Sequence, residues 1–227
     1  STRKESSAAS DVYKRQTRIL ADIEDAERAA GAGEQAVGRV RVNTSASYAN
    51  HILAPILPAF MAEHPGVTLD IVQTDAVVDL VAERADVAIR AGPLKSSRLV
   101  ARKLGETALM IVAAPSYLDR WGQPRSIGDL DAHNCLGFGY ARAVDGWPLR
   151  GNDGTVVVPA TGRVQASDGE GLRHLALSGV GLARLAAFTL REDIAAGRLV
   201  PVLGDLDTGE REPFHAVYVG QGGPLPS

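Results

Sequence analysis

Hydroxyl and carboxylate side chains recur where strand-like runs give way to helix-like ones, and these residues are the best placed for chemistry. Ser45 and Ser47 stand between RVRVNT (Arg39–Thr44) and an apolar helical stretch, Thr74-Asp75 follows VTLDIVQ (Val67–Gln73), and Ser167-Asp168 opens a later helix. In open α/β sheets, ligands collect at the carboxyl ends of the strands. A helix N-terminus there offers free N–H groups and partial positive charge, which suits a carboxylate. Taken singly, each of these residues is an ordinary N-cap or turn former. Three at equivalent strand ends describe a cleft for a small anion, in which a charged Asp168 must point away.

Covalent and metal chemistry find no such support. The chain has no G-x-S-x-G nucleophile elbow. The single cysteine, Cys135, lies in the apolar run CLGFGY, reads as a small core hydrophobe, and excludes both an internal disulfide and a cysteine zinc site. His51, His64, His133, His174 and His215 show neither H-E-x-x-H nor paired ligand spacing. Gly137-Phe138-Gly139 lacks the third glycine or Lys-Ser of a phosphate loop, and Ser178-Gly179-Val180-Gly181 falls between helix and strand, the wrong order for a dinucleotide fingerprint. No catalytic set, metal or cofactor is expected, so the chain does not read as an enzyme.

The elements that must position the hydroxyls follow a strand–helix–strand rhythm. With 227 residues, 45% apolar and 22% charged, the composition is that of a soluble globular protein with room for a large core. Balanced charge, 24 basic against 27 acidic side chains, argues against a domain that grips nucleic acid by itself. No apolar run reaches the ~18 residues of a membrane span. The opening STRKESSAASDVYKRQ has no apolar stretch of a secretory signal, so a cytoplasmic location without a membrane partner is expected.

After Arg39–Thr44, Ser45-Ala46-Ser47 caps a helix whose Pro55 and Pro58 predict a kink or division near Ala54. His64-Pro65-Gly66 stops it. Strands are predicted at Val67–Gln73 and Asp86–Arg90, one or two more within Leu99–Ala114, and a short helix at Ala76–Glu83. This order implies a parallel sheet flanked by helices. A second block has helical turns at Pro115–Arg120 and Ser126–Leu130, and strands at Asn134–Tyr140, Val156–Pro159, Thr161–Ala166 and Gly179–Leu182. Helices at Asp168–Ser178 and Ala187–Ala196, then strands at Leu199–Leu203 and Phe214–Val219, complete it. Two α/β blocks suggest two lobes with a cleft between them.

At the start, Asp11–Gln16 (DVYKRQ) resembles the translation of a transposon sequencing adapter, so residues 1–16 are expected to be foreign or a disordered arm. Thr17–Ala30 carries Ile19, Ile23, Ala26 and Ala30 on one heptad-like seam, a connector helix that wants a partner and ends at Gly31-Ala32-Gly33. At the other end, Pro224-Leu225-Pro226-Ser227 after a strand-like run suggests that a further element follows in the natural protein.

Three phrases in order resemble the effector-binding domain of LysR-type transcriptional regulators. They are LAPILPAFMAEHPGVTLDI (Leu53–Ile71), DLVAERADVAIRAGPLKSSRLVARKLGE (Asp79–Glu106) and ASDGEGLRHLALSGVGLARLAAFTLREDIAAGRLVPVL (Ala166–Leu203). Thr17–Ala30 resembles that family's linker helix. The resemblance implies an α/β, two-lobed, periplasmic-binding-protein-like fold, each lobe a mostly parallel sheet, with two crossover strands. It implies a linker at 17–37, lobe I at 38–111 plus 212–227, and lobe II at 112–211. Effector-contact positions carried over by resemblance are Ser45, Ser47, Thr74, Phe138, Ser167 and Asp168, although Ala186 stands where the family usually has proline. The partners implied are a small organic, carboxylate effector, a homodimer or homotetramer, and DNA through an N-terminal winged helix-turn-helix outside this sequence. A solute-binding protein of a transporter would share the fold and is the alternative reading.

Overall fold

The computed structural model describes residues 36–75, 85–93, 99–140 and 146–219. The expected arm at 1–16, the linker helix, the Ala76–Glu83 helix and the last residues lie outside these.

β1 (Gly38–Thr44) ends at Ser45, whose hydroxyl accepts a hydrogen bond from the Tyr48 N–H at 3.1 Å and so caps the helix that follows. That helix begins with an α turn at Ala46–Tyr48, widens to a π turn at Ala49–Leu53, and returns to α at Ala54–Glu63; we call the whole α1. Pro55 and Pro58 cannot donate to the carbonyls four residues back. The backbone instead bonds from the Ala54 N–H to the Ala49 carbonyl, and the break expected near Ala54 takes the form of a change of pitch. β2 (Val67–Gln73) and β3 (Val87–Ala91) flank β1, both parallel to it.

β4 (Val100–Ala113) is a single strand of 14 residues. It leads to α2 (Pro115–Trp121), a 3-10 turn (Gly128–Ala132), β5 (Cys135–Phe138) and the hairpin β6 (Trp147–Gly151) and β7 (Gly154–Val158). β8 (Gln165–Ala166), α3 (Gly169–Leu177), β9 (Leu182–Ala186), α4 (Ala187–Ala195), β10 (Val200–Pro201) and β11 (Arg211–Tyr218) follow. The main sheet runs β2-β1-β3-β11-β4-β9-β5-β8, with β10 against β4. β1, β2 and β3 form one parallel group, and β9, β5 and β8 another. Between them β4 and β11 lie antiparallel to their neighbours, so the sheet as a whole is mixed. Residues 100–108 of β4 pair with β11, and residues 109–112 pair with β9. The two long strands thus carry the chain from one parallel group to the other.

Several predicted boundaries move for local reasons. The strand expected at Gly179–Leu182 begins only at Leu182, because Gly179 (φ 72°) and Val180 bond back to Ala176 and Leu175 and close α3. No strand is predicted between Tyr140 and Val156; the pairing of β6 with β7 across the two-residue Asn152-Asp153 loop makes Trp147–Gly151 one. The strands expected at Thr161–Ala166 and Leu199–Leu203 shorten to β8 and β10.

The period-2 alternation of the central strands divides the core into two layers. Ile111, Cys135 and Leu182 face one side with Tyr117, Trp147 and Leu149. Their neighbours Val112, Leu136 and Ala183 face the other, against Leu172 and Ala176 of α3 and Leu190 of α4. Leu136, Leu172, Leu182 and Leu190 are fully buried, and each stabilises the fold by about 1.5–3 kcal/mol relative to an exposed side chain. A smaller cluster of Ala85, Ala88 and Val217 packs between β3 and β11.

Candidate functional site

The N-terminal turns of α1 and α3 meet across the crossing strands. Asp168 is the N-cap of α3, its Oδ1 accepting from the Gly171 N–H at 2.7 Å. The next N–H, that of Gly169, donates to Oδ2 of Asp75 at 3.2 Å. Asp75 is held just beyond β2, where the Thr74 N–H donates to the Thr44 carbonyl at 2.8 Å. From α1, Ser47 comes so close to Gly169 that a Cβ built there would lie 2.7 Å from the Ser47 Oγ. The Ser167 hydroxyl donates to Asp168 at 3.3 Å. Of the six expected site residues, Ser45, Ser47, Thr74, Ser167 and Asp168 therefore gather at this junction. Phe138 lines a separate cavity.

The junction is already supplied with anions. α3's N-terminal donors would attract a carboxylate, and two of them hold carboxylates of the chain itself, those of Asp75 and Asp168. Asp168 points into its own helix, not away from the junction. Ser45 likewise spends its oxygen on the Tyr48 N–H. Arg90 on β3 supplies positive charge beside Asp75; burial pushes its pKa down and Asp75 pulls it back up.

A chain of charged side chains also joins these helices. His51 of α1 donates from Nε2 to Glu170 Oε1 at 2.8 Å, and Arg173 contacts the second Glu170 oxygen at 3.3 Å. Arg173 also donates from Nε to Asp193 at 2.7 Å, while Arg198 holds the other Asp193 oxygen at 2.7 Å. Asp193 is fully buried, so its charge needs both partners. This alternating chain ties α1 through α3 to the end of α4. The Glu170–Arg173 spacing of three along a helix was a visible signal; His51 and Asp193 lie too far off in sequence to have given one.

Behind the junction Tyr48, Phe188 and Phe214 pack ring to ring, with centroids 5.1 Å apart for Tyr48–Phe214 and 5.5 Å for Phe188–Phe214. Burial raises the Tyr48 pKa. A hollow of about 740 Å³ runs beside these rings along β4. A second cavity, of about 390 Å³, has Phe138, Tyr140, Trp147 and Arg184 in its wall. Burial pushes the Cys135 thiol up to about 11, which makes it a poor nucleophile. Among the described residues, no cluster of three His, Cys, Asp or Glu could hold a metal, and no helix is long and apolar enough to cross a membrane.

Residues 33–222 match the family described as the LysR substrate binding domain. The chain belongs to this LysR family. Among its relatives, the HTH-type transcriptional regulator CrgA of Neisseria meningitidis serogroup C is 34% identical over 207 residues, which is 91% of this chain and 69% of CrgA. The solved regulatory domain of CrgA has a TM-score of 0.75 at 34% identity, covering 82% of this chain and 90% of that one. Full-length AphB, a virulence activator of Vibrio cholerae, has a TM-score of 0.70 at 28% identity, covering 93% of this chain and 72% of its own. The mixed, curled sheet with its two crossing strands is the periplasmic-binding-protein-like architecture of LysR regulatory domains.

Proposed function

We propose that this LysR domain senses a small organic carboxylate at the junction of α1 and α3 and passes the resulting change of shape to a DNA-binding domain. The lobes are residues 38–111 plus 212–227 and residues 112–211, and the effector lies between Ser45, Ser47 and Thr74 on one side and Ser167 and Asp168 on the other. Phe138 contributes from the wall of the neighbouring cavity. The observation that carries this reading is the Asp75 carboxylate on the Gly169 N–H, because it places a carboxylate from one strand group on a donor of the other. An effector carboxylate exchanges with Asp75 at that donor. It shifts the angle between the lobes only by its differential affinity for the two states. In the full-length cytoplasmic protein, a homodimer or homotetramer, the shift alters how linked helix-turn-helix domains meet DNA. Relatives named as transcriptional regulators favour this reading over a transport receptor.

Calorimetric titration of the chain with a panel of small carboxylates tests it. Saturable heat with at least one member is expected, weakened by Ser47→Ala and by Ser45→Ala. The latter also removes a cap worth about 1 kcal/mol, so it is read beside its thermal melt. A folded chain that gives no heat across the panel overturns the carboxylate reading, and unchanged affinity in both variants removes the serines from the site.

A further inference from the structure

His51 and Glu170 meet across the boundary between the two parallel strand groups. α1, which carries His51, follows β1 directly. α3, which carries Glu170, packs Leu172 and Ala176 against Leu136 of β5 and Ala183 of β9. The 2.8 Å contact from Nε2 to Oε1 therefore joins the two groups, and its side chains keep only 22% and 14% exposure. The other ring nitrogen, Nδ1, has no hydrogen-bond partner among the described residues, so a second proton can enter there without breaking the contact.

The charges around the ring are uneven. Four carboxylates, those of Asp75, Asp168, Glu170 and Asp193, face three guanidiniums, those of Arg90, Arg173 and Arg198. A protonated His51 is the fourth cation. From α4 the Phe188 ring meets His51 edge-on at 6.3 Å, and Arg191, one turn further along, is exposed. On α3, His174 is exposed too and turns to the Glu170 carbonyl at 3.3 Å. Solvent screens both. Tyr48, one turn earlier on α1, stays neutral, since burial raises its pKa.

We propose that His51 and Glu170 form a proton-operated latch between the two strand groups. With the imidazole charged, the contact is an ion pair that holds α1 against α3; with it neutral, an ordinary hydrogen bond lets the helices part. A charge-assisted hydrogen bond is about twice as strong as a neutral one, and an imidazole changes charge between about pH 5 and 8. The added hold is present while the ring is protonated and is lost as pH rises through that range. Arg173, itself fixed by Asp193, keeps Glu170 in place to receive the ring. The latch needs no ligand, so it and the carboxylate reading of the junction can each fail without the other.

Spin labels on the two sides test it. Met61→Cys on α1 and Trp121→Cys on α2 are exposed positions, and Tyr117 anchors α2 in the layer with Ile111, Cys135 and Leu182. Cys135 is buried and stays unlabelled. In the full chain without ligand, pulsed electron resonance is expected to resolve a latched and a parted distance. Their ratio is expected to fall about ten-fold between about pH 5.5 and about pH 8. His51→Gln keeps a donor but cannot charge, and is expected to hold one ratio across that range. His174→Gln is expected to follow the parent. An unchanged distance distribution in the parent, or a change that survives His51→Gln, overturns the proposal. So does a change that His174→Gln abolishes, which assigns the titration to the exposed histidine. The comparison of the parent at two pH values stands even if a histidine variant does not fold.

Discussion

Replacing Gly169 with alanine measures how tightly α1 and α3 are pressed together. The added Cβ would lie 2.7 Å from the Ser47 Oγ and 3.9 Å from the Ser47 Cβ, whereas non-bonded carbon contacts are favourable at about 3.5–4.0 Å. Two responses are open. The Ser47 hydroxyl leaves its rotamer at a cost of about 0.5–1.5 kcal/mol, or α1 moves back from α3, as an overpacked core does, at a cost of about 1–3 kcal/mol. Alanine in a helix recovers about 0.5–1 kcal/mol over glycine. The expected net is a loss of about 1 kcal/mol. Ser47→Ala deletes the offending oxygen and leaves the 3.9 Å contact, so in that background the same replacement is expected to be neutral or stabilising. Urea unfolding of the parent chain, both single variants and the double variant gives the coupling directly. Were Gly169→Ala no less stable than the parent, or its cost the same with and without the Ser47 hydroxyl, the close approach would not be what reserves this position for glycine.

Asp193→Ala leaves Arg173 with Glu170 alone and releases the half-exposed Arg198 to solvent, and is expected to cost about 1–3 kcal/mol, the penalty for a buried donor that loses its partner; a urea-unfolding loss below about 0.5 kcal/mol would show that water already screens this carboxylate. Cys135 should resist iodoacetamide at pH 8 in the folded chain and react once urea exposes it. Because its folded pKa lies above the ordinary value near 9, the folded state binds the proton more tightly between that value and about 11. This thiol's contribution to stability is then full below pH 9 and falls as pH rises toward 11; rapid native labelling at pH 8 would contradict the burial.

Much of the fold could be read from the chain because its strands advertise themselves. VTLDIVQ occupies the predicted residues of β2, and Asp168 caps α3 at the predicted place. Local signals of capping and alternation fix such elements without help from the rest of the molecule. β6 could not be read this way, since WPLRG becomes a strand only by pairing with β7. The junction was half visible: hydroxyls at strand ends marked Ser45, Ser47, Thr74 and Ser167, and short-range spacing gave the Asp168 cap. That Asp75 would reach the Gly169 N–H, 94 positions away, or that His51 would meet Glu170, depends on how the parallel groups fold over each other. No local pattern encodes it.

The two strands that carry the chain between the parallel groups bear on how it moves. β4 and β11 stay hydrogen-bonded along their shared length, with a register shift between Phe214 and His215. Only Glu106–Ala108 and Arg211–Pro213 are two strands wide, because β3 joins β11 from Phe214 on and β9 joins β4 from Leu109 on. A two-stranded stretch twists more than a broad sheet, and the irregularity at its end adds to the twist. The connection therefore behaves as a torsion spring and not as a pair of loose hinges. Its strands need not unpair for the halves to rotate, so little chain entropy is spent at the joint. A rotation of one half against the other would therefore load both strands together.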